Sequence, residues 1–166
     1  MQPDPQQDTQ DADTQEVVAA VLAASRLIVG MSARALADVD DSLTLPQLRT
    51  LVVQADRPPM KQADLAAELG VNPSTVLRMV DRLAAVGLVA RQANPDSRRE
   101  QLVGLTPAGR DLVRRVMERR SEEVAALVGR LTPAARGGLV HGLRALMDAV
   151  PDAYPDSPDH PGLRLG

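Results

Sequence analysis

Residues 60–106 read MKQADLAAELGVNPSTVLRMVDRLAAVGLVARQANPDSRREQLVGLT. The spacing predicts a short helix over Gln62 to Leu69 that packs through Leu65 and Leu69. Lys61 is a poor N-cap for it. Gly70 supplies the permissive backbone that a tight C-terminal turn needs, and Val71 is expected to plug the angle before the next helix. That second helix has the strongest start signal of the chain. Asn72 can accept from free backbone N–H groups of the first turn, and Pro73 stands at the first helical position, where its missing N–H costs nothing.

Advancing about 100° per residue gathers Val76, Met79, Val80 and Leu83 on one face. Ser74, Arg78 and Asp81 fall opposite, with Thr75 and Arg82 on one flank and Leu77 on the other. The helix therefore buries an aliphatic stripe and turns hydroxyls and guanidinium groups outward, where they can reach phosphates and base edges. An ordinary amphipathic helix with a solvated polar face is the competing account. Gly87 is a helix stop. Leu88 to Ala90 and Gln101 to Val103 then read as short strands around Asn94-Pro95-Asp96-Ser97-Arg98-Arg99, whose Asn-Pro and Asp-Ser pairs form turns and place Arg98 and Arg99 near a loop tip. Helix, turn, helix, hairpin is the order of a winged helix-turn-helix, so the hairpin is expected to touch DNA.

From about Leu43 to Arg120 the chain resembles the MarR family of bacterial transcriptional regulators, and the flanking helices are compatible with it to about Val150. The motifs that carry the resemblance are LAAELGVNPSTVLRMVDRLAAVGLVAR, the wing NPDSRRE and the LTPAG that opens the next helix. It implies a mainly α fold: a three-helix core with a small β-hairpin wing, and terminal helices that form a two-fold dimer. It also implies recognition helices in successive major grooves, with Ser74, Thr75 and Arg78 facing the bases, and wings in adjacent minor grooves. Asp96-Ser97-Arg98 fits the family's Asp-x-Arg wing motif. Counting back from Leu105-Thr106 instead puts Arg99 in the usual groove-reading place, so both arginines are named. The candidate DNA-binding residues are thus Asn72, Pro73, Ser74, Thr75, Arg78, Arg82, Asp96, Arg98 and Arg99. The resemblance further implies an effector pocket between the dimerisation helices and the winged helix, suited to small aromatic or phenolic acids. Arg26, Met31 and Arg49 are candidate lining residues, with core or surface roles as the competing assignment.

Composition sets bounds on the alternatives. The chain of 166 residues has no Cys, Phe or Trp and a single tyrosine, Tyr154, so its core must be aliphatic. The lack of cysteine excludes disulfides, zinc-thiolate sites and thiol redox sensing. Only His141 and His160 could serve as imidazole bases, and no nucleophile–base pair, metal-ligand cluster or phosphate loop can be read. An enzyme, a metal and a cofactor are therefore not expected. No long apolar run suggests a membrane span, and no signal-peptide pattern opens the chain, so a cytoplasmic protein with no membrane partner is expected. The net charge is −3, but its distribution favours nucleic acid: residues 1–16 carry five acids and no base, whereas residues 57–120 carry twelve Lys/Arg against seven Asp/Glu. Local charge governs phosphate attraction more than the total does. Lys61 is the only lysine.

Residues 1–14, polar and acidic, are expected to be a disordered tail. Residues 15–42 hold a helix from Gln15 to Ala37 with Val17, Val21, Ala24, Ile28, Met31 and Ala35 at spacings of four and three. Residues 43–106 are the winged helix-turn-helix, opening with a helix that buries Leu48, Leu51 and Val52. Residues 107–150 hold two more helices, each started by a Thr-Pro pair. The first runs to about Arg130 and is basic outside at Arg110, Arg114, Arg115, Arg119 and Arg120, read as a solvated face paired with Asp111 and Glu118. The second turns Leu139, Leu143, Leu146, Met147 and Val150 inward. Residues 151–166 are read as a loose tail. Terminal helices this apolar call for a symmetric dimer with double-stranded DNA as the other partner. A winged-helix module that binds protein instead of DNA is the alternative function, and the spread of Arg78, Arg98 and Arg99 over helix and wing argues against it.

Overall fold

The computed structural model describes residues 5–149. Six helices and three strands follow in the order α1 (Pro5–Val39), α2 (Leu45–Ala55), β1 (Met60–Lys61), α3 (Gln62–Leu69), α4 (Pro73–Ala85), β2 (Val89–Asn94), β3 (Ser97–Leu105), α5 (Pro107–Gly129) and α6 (Pro133–Asp148). Expectations that fall on residues 1–4 and 150–166, among them Val150, Tyr154 and His160, lie outside the described residues.

Local chemistry explains most boundaries. At the start of α2 the Gln47 side-chain Oε1 accepts from both the backbone N–H (2.8 Å) and the hydroxyl (2.9 Å) of Thr44. Gly70 ends α3 with φ 66°, and Gly87 follows α4 with φ 75°, a left-handed backbone open to glycine at no steric cost. Thr106 accepts from the Gly109 N–H at 3.0 Å to cap α5, and its hydroxyl donates to the Gly87 carbonyl at 2.7 Å. One residue thus caps α5 and ties it to the turn that follows α4. A Cβ at Gly109 would lie 2.1 Å from the Leu88 carbonyl oxygen, so only glycine permits this approach.

The core is a single aliphatic cluster. Ala35 and Leu36 of α1, Leu48 and Leu51 of α2, Leu65 and Leu69 of α3, and Val76, Val80 and Leu83 of α4 meet Leu88, Val89 and Val103 of the sheet region and Leu112, Val113 and Val116 of α5. Two ion pairs reinforce the junction of α1 with α5: Arg119 with Asp38 at 2.9 Å and Arg34 with Glu123 at 3.5 Å.

Five features depart from the sequence reading. Helix α1 begins at Pro5, so residues 5–14 are helical instead of disordered. Their Gln, Asp, Thr and Ala content gives no core to bury, yet a helix already nucleated by the apolar stretch propagates at little cost. The hairpin is part of a three-stranded antiparallel sheet of order β1-β3-β2, in which Met60 pairs with Val103 and Lys61 with Leu102. Two residues before a helix carry no periodic signal, so β1 was not foreseen. Val71 is 37% exposed and does not fill the helix–helix angle.

The fourth departure concerns α6, where no residue is buried and Leu139, Leu143, Leu146 and Met147 all lie exposed. None of that apolar face is buried among the described residues. The fifth is the apolar character of α1. Asp13–Val39 is long and apolar enough to cross a membrane by length and composition, with mean hydropathy 1.7, and most of its apolar side chains are exposed. Its C-terminal end nevertheless enters the core through Met31, Ala35 and Leu36, which ties it to the globular body.

Candidate nucleic-acid interface

Helix α4 is the centre of the site. Val76, Val80 and Leu83 are fully buried and Met79 half-buried, where its sulfur meets the Thr50 hydroxyl at 2.9 Å. With that face locked into the core, Ser74, Arg78, Asp81 and Arg82 are exposed and Thr75 half-buried, as the periodicity predicts. Asn72 is the N-cap residue, but its side chain does not cap the backbone. Its Oδ1 instead accepts from the hydroxyls of Ser74 (3.1 Å) and Thr75 (3.0 Å), while the Thr75 N–H bonds the Asn72 carbonyl at 3.0 Å. The three polar side chains thereby order one another at the helix start. Pro73 sits at the first helical position. The backbone dipole there favours an anion.

The arginines divide by availability. Arg57 pairs with Glu68, Arg91 with Asp81, Arg114 with Asp111 and Glu118, Arg115 with Asp111, and Arg119 with Asp38 and Glu122. Arg110 donates to the Leu105 carbonyl at 2.8 Å. The basic face of α5 is therefore largely neutralised, in line with its reading as a solvated, paired surface. Asp111 is held below the usual carboxylate range, first by its hydrogen bond from Arg114. Among the described residues, Arg78 and Arg82 make no such pair. They border a cleft of about 290 Å³ between α2 and α4, lined by Thr44, Pro46, Gln47, Thr75, Arg78, Met79 and Arg82.

In the wing, Asn94 and Ser97 pair across a two-residue turn, with the register irregular at Ala93/Asn94. Asn94 Oδ1 accepts from the Asp96 N–H at 3.0 Å, an Asx turn that suits Pro95 as first central residue. Asp96 is exposed. Arg98 and Arg99 open strand β3 instead of lying in the loop: the turn is tighter than the run of turn-forming residues suggested. Next along β3, Glu100 accepts from Lys61 Nζ at 2.9 Å and from Asn94 Nδ2 at 3.2 Å. The Lys61 hydrogen bond is the largest influence lowering the Glu100 carboxyl, and Glu100 in turn raises Lys61. Asp81 and Arg91, in close contact, join α4 to β2 at the wing's base.

This arrangement has direct counterparts among known proteins. The family model described as MarR family matches residues 43–101. Over 114 residues the chain is 30% identical to the HTH-type transcriptional repressor NicR of Pseudomonas putida, a match covering 69% of this chain and 72% of that protein. The chain belongs to the MarR family. Membership makes it a DNA-binding transcriptional regulator and not an enzyme. Among solved structures, the crystal structure of RV1404 from Mycobacterium tuberculosis is 47% identical, with TM-score 0.77 and coverage of 81% of this chain and 92% of that one. A Staphylococcus aureus MepR F27L mutant bound to an oligodeoxyribonucleotide shares the fold at TM-score 0.61 and 21% identity, over 80% of this chain and 96% of that one. The chain spans between 58% and 78% of the length of the curated relatives it matches.

For this MarR-family chain the structure groups Asn72, Pro73, Ser74, Thr75, Arg78 and Arg82 on one helix, with Asp96, Arg98 and Arg99 on the adjoining hairpin. The candidate effector residues differ in exposure. Met31 is buried at 4% exposure, whereas Arg26 on α1 and Arg49 on α2 are exposed. Sequence reasoning missed Thr44 and Gln47, which reach the cleft beside α4. The Thr-x-x-Gln spacing at a helix start was the available signal.

Proposed function

We propose that this chain acts as a homodimeric repressor that binds an inverted-repeat operator and is released by a small aromatic or phenolic effector. One observation carries the reading: α4 buries a complete aliphatic face and turns outward two arginines, Arg78 and Arg82, that no acid in the described chain neutralises. Guanidinium groups so placed can pair bidentately with guanine or bind phosphate. Asn72, Pro73, Ser74 and Thr75 would approach the DNA backbone at the helix start, and Asp96, Arg98 and Arg99 would carry the wing to the minor groove.

Residues 15–42 and 107–150 are assigned to dimerisation. The support is chemical: Val17, Val21, Leu22, Ile28, Leu139, Leu143 and Leu146 are exposed in the single chain, and a second copy offers the same surfaces as cover. A two-fold dimer in turn requires half-sites about one helical turn apart. The cleft beside α4 would seat an effector, with Arg78 and Arg82 meeting a carboxylate and Met79 and Pro46 an aromatic ring. That seat suits an acid better than the trio Arg26, Met31 and Arg49, since Met31 is already committed to the core. A protein that reads the bacterial chromosome would work in the cytoplasm.

The test is a titration of the purified protein against the DNA upstream of its own gene, with and without benzoate-type acids. Tight, salt-sensitive binding that the acid weakens is the expected result. Binding that ignores salt would point to a protein-binding module instead, because each phosphate neutralised must release counterions.

A further inference from the structure

The wing is held at two places. At its base Arg91 of β2 meets Asp81 of α4. Towards its tip, Glu100 of β3 accepts from Lys61 of β1 at 2.9 Å and from Asn94 of β2 at 3.2 Å. Asn94 is 8% exposed, and its other side-chain atom, Oδ1, accepts from the Asp96 N–H inside the turn at 3.0 Å. A continuous chain of polar contacts therefore runs from β1, the residue pair just before α3, through the Glu100 carboxylate into the turn. Lys61 is also the protein's only lysine, in a chain whose other cations are arginines, and a compact ammonium suits this single-oxygen contact better than a forked guanidinium.

We propose that Lys61, Glu100 and Asn94 form a latch that positions the wing, so that Lys61 serves DNA binding through the orientation of Arg98 and Arg99 and not through a phosphate of its own. This rests on the reading of the wing as a DNA-contacting element. Glu100 is the deciding residue. A carboxylate facing a phosphate backbone would weaken binding by repulsion, so its removal should help if Lys61 were a phosphate ligand and hurt if the pair is a latch. Coupling to the wing arginines separates the same two roles, because a latch has no effect on affinity once the groups it positions are gone.

The experiment uses the full chain and a duplex that the parent protein selects from a random-sequence pool. Affinity and thermal midpoint are measured for Glu100→Gln and Lys61→Met, alone and combined with Arg98→Ala and Arg99→Ala. A latch predicts that each single variant loses affinity about fivefold, the scale of weakening an exposed ion pair in both wings of a dimer, with the thermal midpoint unchanged. Neither should have an effect once the wing arginines are gone. The exchange Lys61→Glu with Glu100→Lys should recover part of the loss. Tighter binding by Glu100→Gln overturns the proposal, as does a Lys61→Met loss that persists without the wing arginines. A fall in the thermal midpoint that accounts for the affinity loss would also overturn it. If the wing double variant binds like the parent, the wing reading fails and the latch with it; if the parent selects no duplex at all, DNA recognition itself is at fault.

Discussion

The winged helix-turn-helix and the terminal helices are built from nearly the same aliphatic residues, yet they use them in opposite ways. Between α2 and the first half of α5, leucine and valine close on one another: Leu51, Leu65, Leu83, Val76, Val80, Val103 and Val116 are fully buried. In the first half of α1 and throughout α6, the same residue types lie open, with Leu22 54% and Leu143 51% exposed. The first region is complete within one chain and the second is not. Apolar surface of this extent drives association, so under the proposed dimer stability and DNA geometry would be stored in different places: the reading head in the protomer, its spacing in the pair.

The largest effect should come from breaking the open region. Leu143→Glu opens no cavity in the single chain, but it places charge where a second copy would pack. Sedimentation should shift from dimer to monomer, and operator affinity should fall by at least about a hundredfold as bivalency is lost. A dimer that persists would erase the contrast.

Next comes the closed region. Leu83→Ala should destabilise the fold by about 2–5 kcal/mol through the cavity it leaves, read by denaturant unfolding. Leu143→Ala in a monomeric background should cost far less. Equal costs would mean that α6 has intramolecular neighbours after all.

Arg78→Ala tests the reading head without touching its core. Affinity for the operator should drop by about 1–3 kcal/mol if the guanidinium makes a bidentate base contact, and the preference over scrambled DNA should shrink. Unfolding should be unchanged, since Arg78 is exposed and has no ion-pair partner among the described residues.

The smallest effect is expected at the wing. Arg98→Ala with Arg99→Ala should weaken all sequences evenly, because minor-groove readout is degenerate. The slope of log affinity against log salt should fall by about 0.9 for each phosphate contact removed. Loss confined to the operator sequence would instead make the wing a reader of bases.

Much of the closed region was legible in the chain itself. Pro73 and Pro107 each stand at a first helical position, and Gly70 and Gly87 carry the positive φ values expected of turn residues. The stripe Val76, Val80 and Leu83 predicted both what α4 buries and what it presents. Less legible were the contacts within the site. Asn72 was read as a backbone cap, but the hydroxyls of Ser74 and Thr75 lie nearer to hand and take its oxygen. Val71 was read as buried because it is apolar, although nothing in a turn compels burial.

By itself, then, the sequence determined what acts within a turn or two of the backbone: helix starts and stops, the buried stripe of α4, and the order helix, turn, helix, hairpin. Caps, prolines and periodicity work over a few residues, so their signals survive without the fold. Tertiary structure alone decided the pairing of β1 with β3, the Lys61–Glu100 contact, which arginines acids neutralise, and the lack of cover on α6. Each depends on residues far apart in the chain that only the folded core brings within a few ångströms.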